Sequence, residues 1–154
     1  MEIKKIELVQ ATIDDLPLLY QITQIGISHL ETQEQIFTEN QKAEHYQLYV
    51  EEFLPKIDQT SLVVVDGEVV GRLRLEESTK QIHIGGVQLL PKWTGKGIGT
   101  DIFEKLIQKS EKENLKITLM VHKNNPRAIQ FYEKLKFQKT RETETQFKME
   151  FIPT

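Results

Sequence analysis

The segment Leu89-Leu-Pro-Lys-Trp-Thr-Gly-Lys-Gly-Ile-Gly-Thr100 ends with three glycines at alternate positions, directly before a run with helical periodicity. That arrangement suits anion binding. The first turn of a helix presents unpartnered backbone N–H groups and the positive end of the helix dipole, and glycines let a phosphate approach the backbone. Two well-known phosphate loops can be tested against the spacing. A P-loop needs Gly, four residues, then Gly-Lys-Ser/Thr, but Gly97 follows Gly95-Lys96 and Leu90 stands where the first glycine belongs. A dinucleotide fingerprint needs Gly-x-Gly-x-x-Gly after the first strand of a βαβ unit, whereas Gly95-x-Gly97-x-Gly99 follows a strand of an antiparallel meander. Both fail. Taken alone, the glycines would also suit a bare strand-to-helix turn, for which glycine is the default residue.

The elements that must position this loop follow from periodicity and punctuation. Ile3–Val9 reads as a first strand, and Thr12 with Asp15 as a helix-capping pair. A helix over Ile13–Ile25 would bury Leu18, Leu19, Ile22 and Ile25, with Pro17 blurring its start. The signal is weak from Gly26 to Asn40. A second helix near Gln41–Leu54 carries Tyr46, Leu48, Tyr49 and Phe53 and stops before Pro55. Leu62–Val65, Asp66-Gly67 and Val69–Leu75 form a hairpin, the Asp-Gly pair supplying the positive φ angles of a tight primed turn. Gln81–Leu90 makes a third meander strand, in which Gly85-Gly86 suggests a bulge or a close approach.

A helix over Gly97–Glu113 sets Ile102, Phe103, Leu106 and Ile107 on one stripe. Ile117–Val121 is a short apolar strand suited to a parallel pair. Asn125 caps a further helix with Pro126 at its first position; Ala128, Phe131, Tyr132 and Leu135 lie along one face. Phe137–Thr140 and Gln146–Phe151 close the chain. The fold class is α/β (α+β), in the order β-α-α-β-β-β-α-β-α-β-β, with an antiparallel N-terminal half and a parallel central pair. No repeat or linker divides residues 1–154, which read as a single domain.

Composition narrows the function classes. Twenty Lys and Arg against 23 Asp and Glu give a net charge of −3, too little field to gather nucleic acid. No apolar run is long enough for a signal peptide or a membrane span, so the chain reads as cytoplasmic. It has no cysteine, which excludes disulfides, cysteine metal sites and a cysteine nucleophile. His29, His45 and His122 lack ligand-like spacing, and no metal is expected.

Thr94-Gly-Lys-Gly-Ile-Gly99 after a strand, followed by Asn125-x-x-Ala128-x-x-Phe131-Tyr132-x-x-x-x-Phe137, resembles the GCN5-related N-acetyltransferase (GNAT) superfamily. That family's pyrophosphate signature is Arg/Gln-x-x-Gly-x-Gly/Ala, and its later segment is Asn-x-x-Ala-x-x-Phe-Tyr-x-x-x-Gly-Phe. The order of elements matches along nearly the whole chain. Two positions depart from the pattern: Thr94 stands in place of Arg or Gln, and Lys136 in place of Gly.

The resemblance implies acetyl-CoA (coenzyme A) as co-substrate and direct transfer of its acetyl group to a primary amine. Backbone N–H groups of Gly95, Lys96, Gly97, Ile98, Gly99 and Thr100 would hold the pyrophosphate, beside Thr94. Leu89 and Leu90 would meet the pantetheine arm, with the Leu89 N–H polarising the thioester carbonyl. Tyr132 would act as general acid toward the departing thiolate and touch the cofactor, as Asn125 would. His83, six residues before Leu89, occupies the place of the family's glutamate base, with Glu76 and Glu77 in reserve. On periodicity alone Tyr132 reads first as a packing aromatic, which the Asn-Ala-Phe-Tyr context reverses, and His83 is equally a surface histidine of the sheet. The acceptor is a small-molecule amine or a protein N-terminal or lysine amine, and a homodimer is compatible with the family. A non-catalytic acyl-CoA sensor on the same fold is the alternative; a nucleotide-binding module fits worse, since both standard phosphate loops fail.

Overall fold

The computed structural model describes residues 2–3, 5–28 and 38–154; most of the weak-signal stretch from Gly26 to Asn40, with His29, lies outside them. The elements are β1 (Ile6–Gln10), α1 (Leu16–Ser28), α2 (Glu39–Phe53), β2 (Thr60–Val65), β3 (Glu68–Glu77), β4 (Gln81–Leu89), α3 (Ile98–Glu113), β5 (Lys116–His122), α4 (Pro126–Lys134), β6 (Gln138–Glu142) and β7 (Gln146–Phe151). Seven strands make one mixed sheet in the order β1-β2-β3-β4-β5-β7-β6, with β4 and β5 parallel and the rest antiparallel. Class and element order are as the sequence implies. No helix among the described residues is long and apolar enough to cross a membrane. The chain divides into two compact units, Met1–Arg74 with Val87–Thr94, and Leu75–Gly86 with Gly95–Thr154.

In the first unit the Asp66-Gly67 turn has φ of 50° and 86°, the primed geometry that the right-handed twist of a hairpin demands. Register shifts along this hairpin: Val63 faces Gly71 while Val64 faces Val69, so Val70 is the extra residue of a bulge. The Val70 carbonyl accepts from the Leu90 N–H at 2.8 Å. Gly71 sits where a Cβ would lie 2.2 Å from the Gln88 carbonyl oxygen and 3.1 Å from the Leu89 Cα. Only glycine admits so close a backbone approach. Arg72 Nε donates to Gln88 Oε1 at 2.8 Å one residue further on.

The core of this unit gathers Ala11, Leu16, Leu19, Tyr49 and Leu62, with Tyr20, Tyr46 and Phe53 packed against it. The first helix begins later than its sequence pattern suggests. Ile13–Asp15 form a 3-10 turn held by the Thr12 N–H donating to Asp15 Oδ2 at 2.8 Å, and Leu16 starts α1. Pro17 then falls in the first helical turn, where its missing N–H costs nothing. The buried face is correspondingly rotated: Leu16 is in the core, Leu18 is half-buried and Ile25 is exposed, as is Leu48 on α2. α2 starts at Glu39, because Thr38 and Gln41 form a reciprocal capping box with bonds of 3.2 and 2.9 Å.

In the second unit β4 pairs with β5 from Gln81↔Lys116 to Ile84↔Leu119. β5 pairs with β7 over Ile117–His122, and β6 flanks β7. Ile98, Ile102, Phe103 and Leu106 form the buried stripe of α3. On α4 Ile129 is the most buried residue, and Ala128, Phe131 and Tyr132 are half-buried. α4 ends in a Schellman motif: Phe137 N–H donates to the Tyr132 carbonyl and Lys136 N–H to the Glu133 carbonyl, both at 3.0 Å. Lys136 there has φ of +75°. Phe137 therefore belongs to the helix stop, not to the last-but-one strand, which starts at Gln138. Every residue of β6 is exposed, and Lys139 Nζ lies 4.3 Å from the centroid of the Phe147 ring on β7.

Candidate functional site

The glycine loop runs from the end of one unit into the start of the other. In the first, Pro91–Trp93 make a 3-10 turn after β4, and Trp93 is buried. Lys92 Nζ stands 5.6 Å from the Trp93 ring. Thr94 is exposed and returns its hydroxyl to the Pro91 carbonyl at 2.8 Å, which ties down the turn. Leu89 and Leu90 are half-buried. The Leu90 N–H is spent on Val70; because donors alternate along a strand, the Leu89 N–H points away from β3.

In the second unit Gly95 has φ of +73° and Gly97 of +85°, both in the left-handed region that glycine alone enters freely. Gly97 is the N-cap of α3, and its carbonyl accepts the Asp101 N–H at 3.0 Å. The N–H groups of Ile98, Gly99 and Thr100 consequently have no partner within the helix. Ile98 anchors this turn as a fully buried residue, while Gly95, Lys96, Gly97 and Thr100 are exposed. A Cβ on Gly97 would meet nothing within 4 Å. Open space over the left-handed Gly97 at a helix N-terminus is the shape a phosphate group needs. The one acid in the first turn, Asp101, is paired with Lys105 at 3.1 Å, which blunts its repulsion of an anion.

Asn125 caps α4, its side-chain oxygen accepting the Ala128 N–H at 3.3 Å. Its amide nitrogen makes no hydrogen bond among the described residues. Seven residues on, Tyr132 stands in an aromatic cluster, with ring centroids 5.4 Å from Phe103, 5.6 Å from Phe131 and 5.8 Å from Phe137. Burial pushes its hydroxyl from 10.0 up to about 12, because a phenolate would be stranded away from water. The loop and α4 meet within this unit: Phe131 Cζ lies 3.6 Å from where a Cβ on Gly99 would be.

His83 is half-buried on β4, with Nδ1 2.7 Å from Thr118 Oγ1 and Nε2 3.8 Å from Glu76 Oε2. Thr118, its register partner on β5, is fully buried. Glu77 is engaged elsewhere, at 2.7 Å from Lys109 Nζ. Gly95–Thr100, Asn125, Tyr132 and His83 thus share one unit, and Leu89, Leu90 and Thr94 belong to the other. Sequence reasoning missed Arg127, whose Nη2 lies 3.5 Å from the point a Cβ on Gly95 would occupy. A cation in the first turn of a helix opposes the dipole and calls for a reason, but nothing in the spacing ties Arg127 to Gly95.

Comparison with known proteins bears on the family and the fold. Residues 26–137 match the model of the Acetyltransferase (GNAT) family. No curated protein matches the chain. Among solved structures, the PaiA N-acetyltransferase of Thermoplasma acidophilum in complex with coenzyme A is 21% identical, with 97% of this chain and 99% of that one covered at a TM-score of 0.73. The ribosomal-protein-S18-alanine N-acetyltransferase of Escherichia coli is 18% identical over 97% and 96%, at 0.66. Arabidopsis thaliana Naa50 in complex with the bisubstrate analogue CoA-Ac-MVNAL is 21% identical over 96% and 99%, at 0.64. At such identities these structures show a shared fold. With the family match over most of its length, the chain belongs to the GNAT acetyltransferase family.

Proposed function

We propose that the protein is an acetyl-CoA-dependent N-acetyltransferase that moves an acetyl group to a primary amine by direct transfer in a ternary complex. The observation that carries this reading is the pair of left-handed glycines opening onto the bare N-terminus of α3. The family match draws on both compact units, which supports reading residues 1–154 as a single domain. Acetyl-CoA supplies the activated acyl group, as a thioester.

The chain's residues have separate tasks. Backbone N–H groups along Gly95–Thr100 hold the diphosphate, and the Asn125 amide adds a donor to the cofactor. Leu89 offers its N–H to the pantetheine arm and the thioester carbonyl; Leu90, whose N–H is spent, contributes its apolar surface. The amine arrives mostly as an ammonium and must lose a proton before its lone pair can attack. His83 takes that proton, on a ring whose Nε2 lies 3.8 Å from Glu76 Oε2. Tyr132 stays protonated throughout the neutral range, so it can donate to the departing thiolate. Two of the similar structures, the ribosomal-protein-S18-alanine N-acetyltransferase and Naa50 with the bisubstrate analogue CoA-Ac-MVNAL, support an amine acceptor here.

Calorimetry with acetyl-CoA, joined to a thiol-release screen over small amines, polyamines and peptides, tests the proposal. Binding with turnover on one class of amine is the expected result. Binding without turnover across the panel would favour the non-catalytic sensor, and no heat with acetyl-CoA would refute both.

A further inference from the structure

We infer that Arg127 is a diphosphate-binding residue of the glycine loop, supplying the cationic side chain that Thr94 does not. The inference rests on the coenzyme A reading above and adds a named contact to it.

Three observations converge on this residue. Its Nη2 lies 3.5 Å from the site of a Cβ on Gly95, so the guanidinium stands against the first left-handed glycine of the loop. It is the second residue of α4, after the Asn125 cap and Pro126, where a positive charge meets the positive end of the helix dipole. It also makes no ion pair or hydrogen bond with any described residue, and it is exposed. A cation placed against a dipole, with no carboxylate to relieve it, weakens the free protein. A local rule broken without compensation in the fold points to a function.

An anion in the loop would resolve the conflict. Guanidinium presents two parallel N–H donors whose spacing matches phosphate oxygens, and it stays charged at every accessible pH. Thr94 cannot do this, since its hydroxyl is turned back on the Pro91 carbonyl. Lys96, exposed in the same loop, adds charge but no fixed fork.

The test is calorimetry of the full-length protein with CoA and with dephospho-CoA, which keeps the diphosphate but lacks the 3′-phosphate. Arg127→Gln should weaken both ligands by the same factor, about tenfold, the scale of one charge-assisted contact. Thr94→Arg in that background should recover most of the loss. The ligand-free R127Q protein should unfold no earlier than wild type, because a dipole conflict has been removed. Equal affinity of R127Q and wild type would overturn the inference, as would a loss confined to CoA, which would move the contact to the 3′-phosphate. If wild type itself binds neither ligand, the parent reading fails, and that result is distinct from both.

Discussion

Replacing Lys136 with glycine should make the protein more stable, and the size of the gain follows from one backbone angle. Lys136 closes the Schellman motif of α4 with φ of +75°. There an L-residue's Cβ crowds the following carbonyl, at a cost of roughly 1–2 kcal/mol. Glycine avoids the clash but loses more freedom on folding, which takes back about 0.5–1 kcal/mol. The net gain is about 0.5–1 kcal/mol. In a domain of this size that raises Tm by about 1–4 °C. The lysine side chain is exposed and makes no ion pair among the described residues, so little is lost with it. Urea unfolding followed by circular dichroism measures the change, with an unaltered m-value as the check that compactness is unchanged. Lys136→Ala is the control, since alanine keeps the Cβ. A gain from alanine as large as that from glycine would show that the left-handed angle is not the cause.

Three more outcomes follow. Gly71→Ala would drive a Cβ to 2.2 Å from the Gln88 carbonyl oxygen; a loss of about 1–3 kcal/mol or more in the same assay is expected. Gly99→Ala meets Phe131 Cζ at an ordinary 3.6 Å, so folding should survive while CoA binding by calorimetry weakens if the phosphate needs that face bare. Tyr132→Phe should lower kcat on the order of 10²-fold with cofactor affinity kept. Tyr132 also gives a pH signature: its folded pKa is raised to about 12, so its contribution is complete below the unfolded value near 10 and is lost as pH rises through about 12. Absorbance titration should show a tyrosine ionisation near that pH that is absent from the Phe variant, whose alkaline stability limb should be shallower.

How much of this was legible in the sequence depends on whether the signal is local. Asp66-Gly67 dictates its own turn, and Asn125-Pro126 its own cap; both are present as read. The glycines at 95 and 97 likewise take the angles that only glycine takes freely. The start of α1 was not legible, because the Thr12–Asp15 pair caps a 3-10 turn before it caps a helix. Phe137 reads as strand in a pattern of alternating residues, yet its N–H and its ring are both committed to the end of α4. Non-local facts stayed hidden. Neither the Thr118 hydroxyl at His83 nor the Arg127 guanidinium at Gly95 leaves a mark in spacing, since each joins residues more than 30 positions apart.

The exposed strand β6 bears on how copies of this protein behave in crowded solution. A border strand leaves a row of amide and carbonyl groups onto which a foreign chain can add. Gln138-Lys-Thr-Arg-Glu142 carries three charges in five residues and no aliphatic side chain, and the Lys139 ammonium is held over Phe147. A newcomer would have to strip water from those ions before making its first bond. That margin of the sheet is thereby guarded against fibre growth by its own side-chain chemistry.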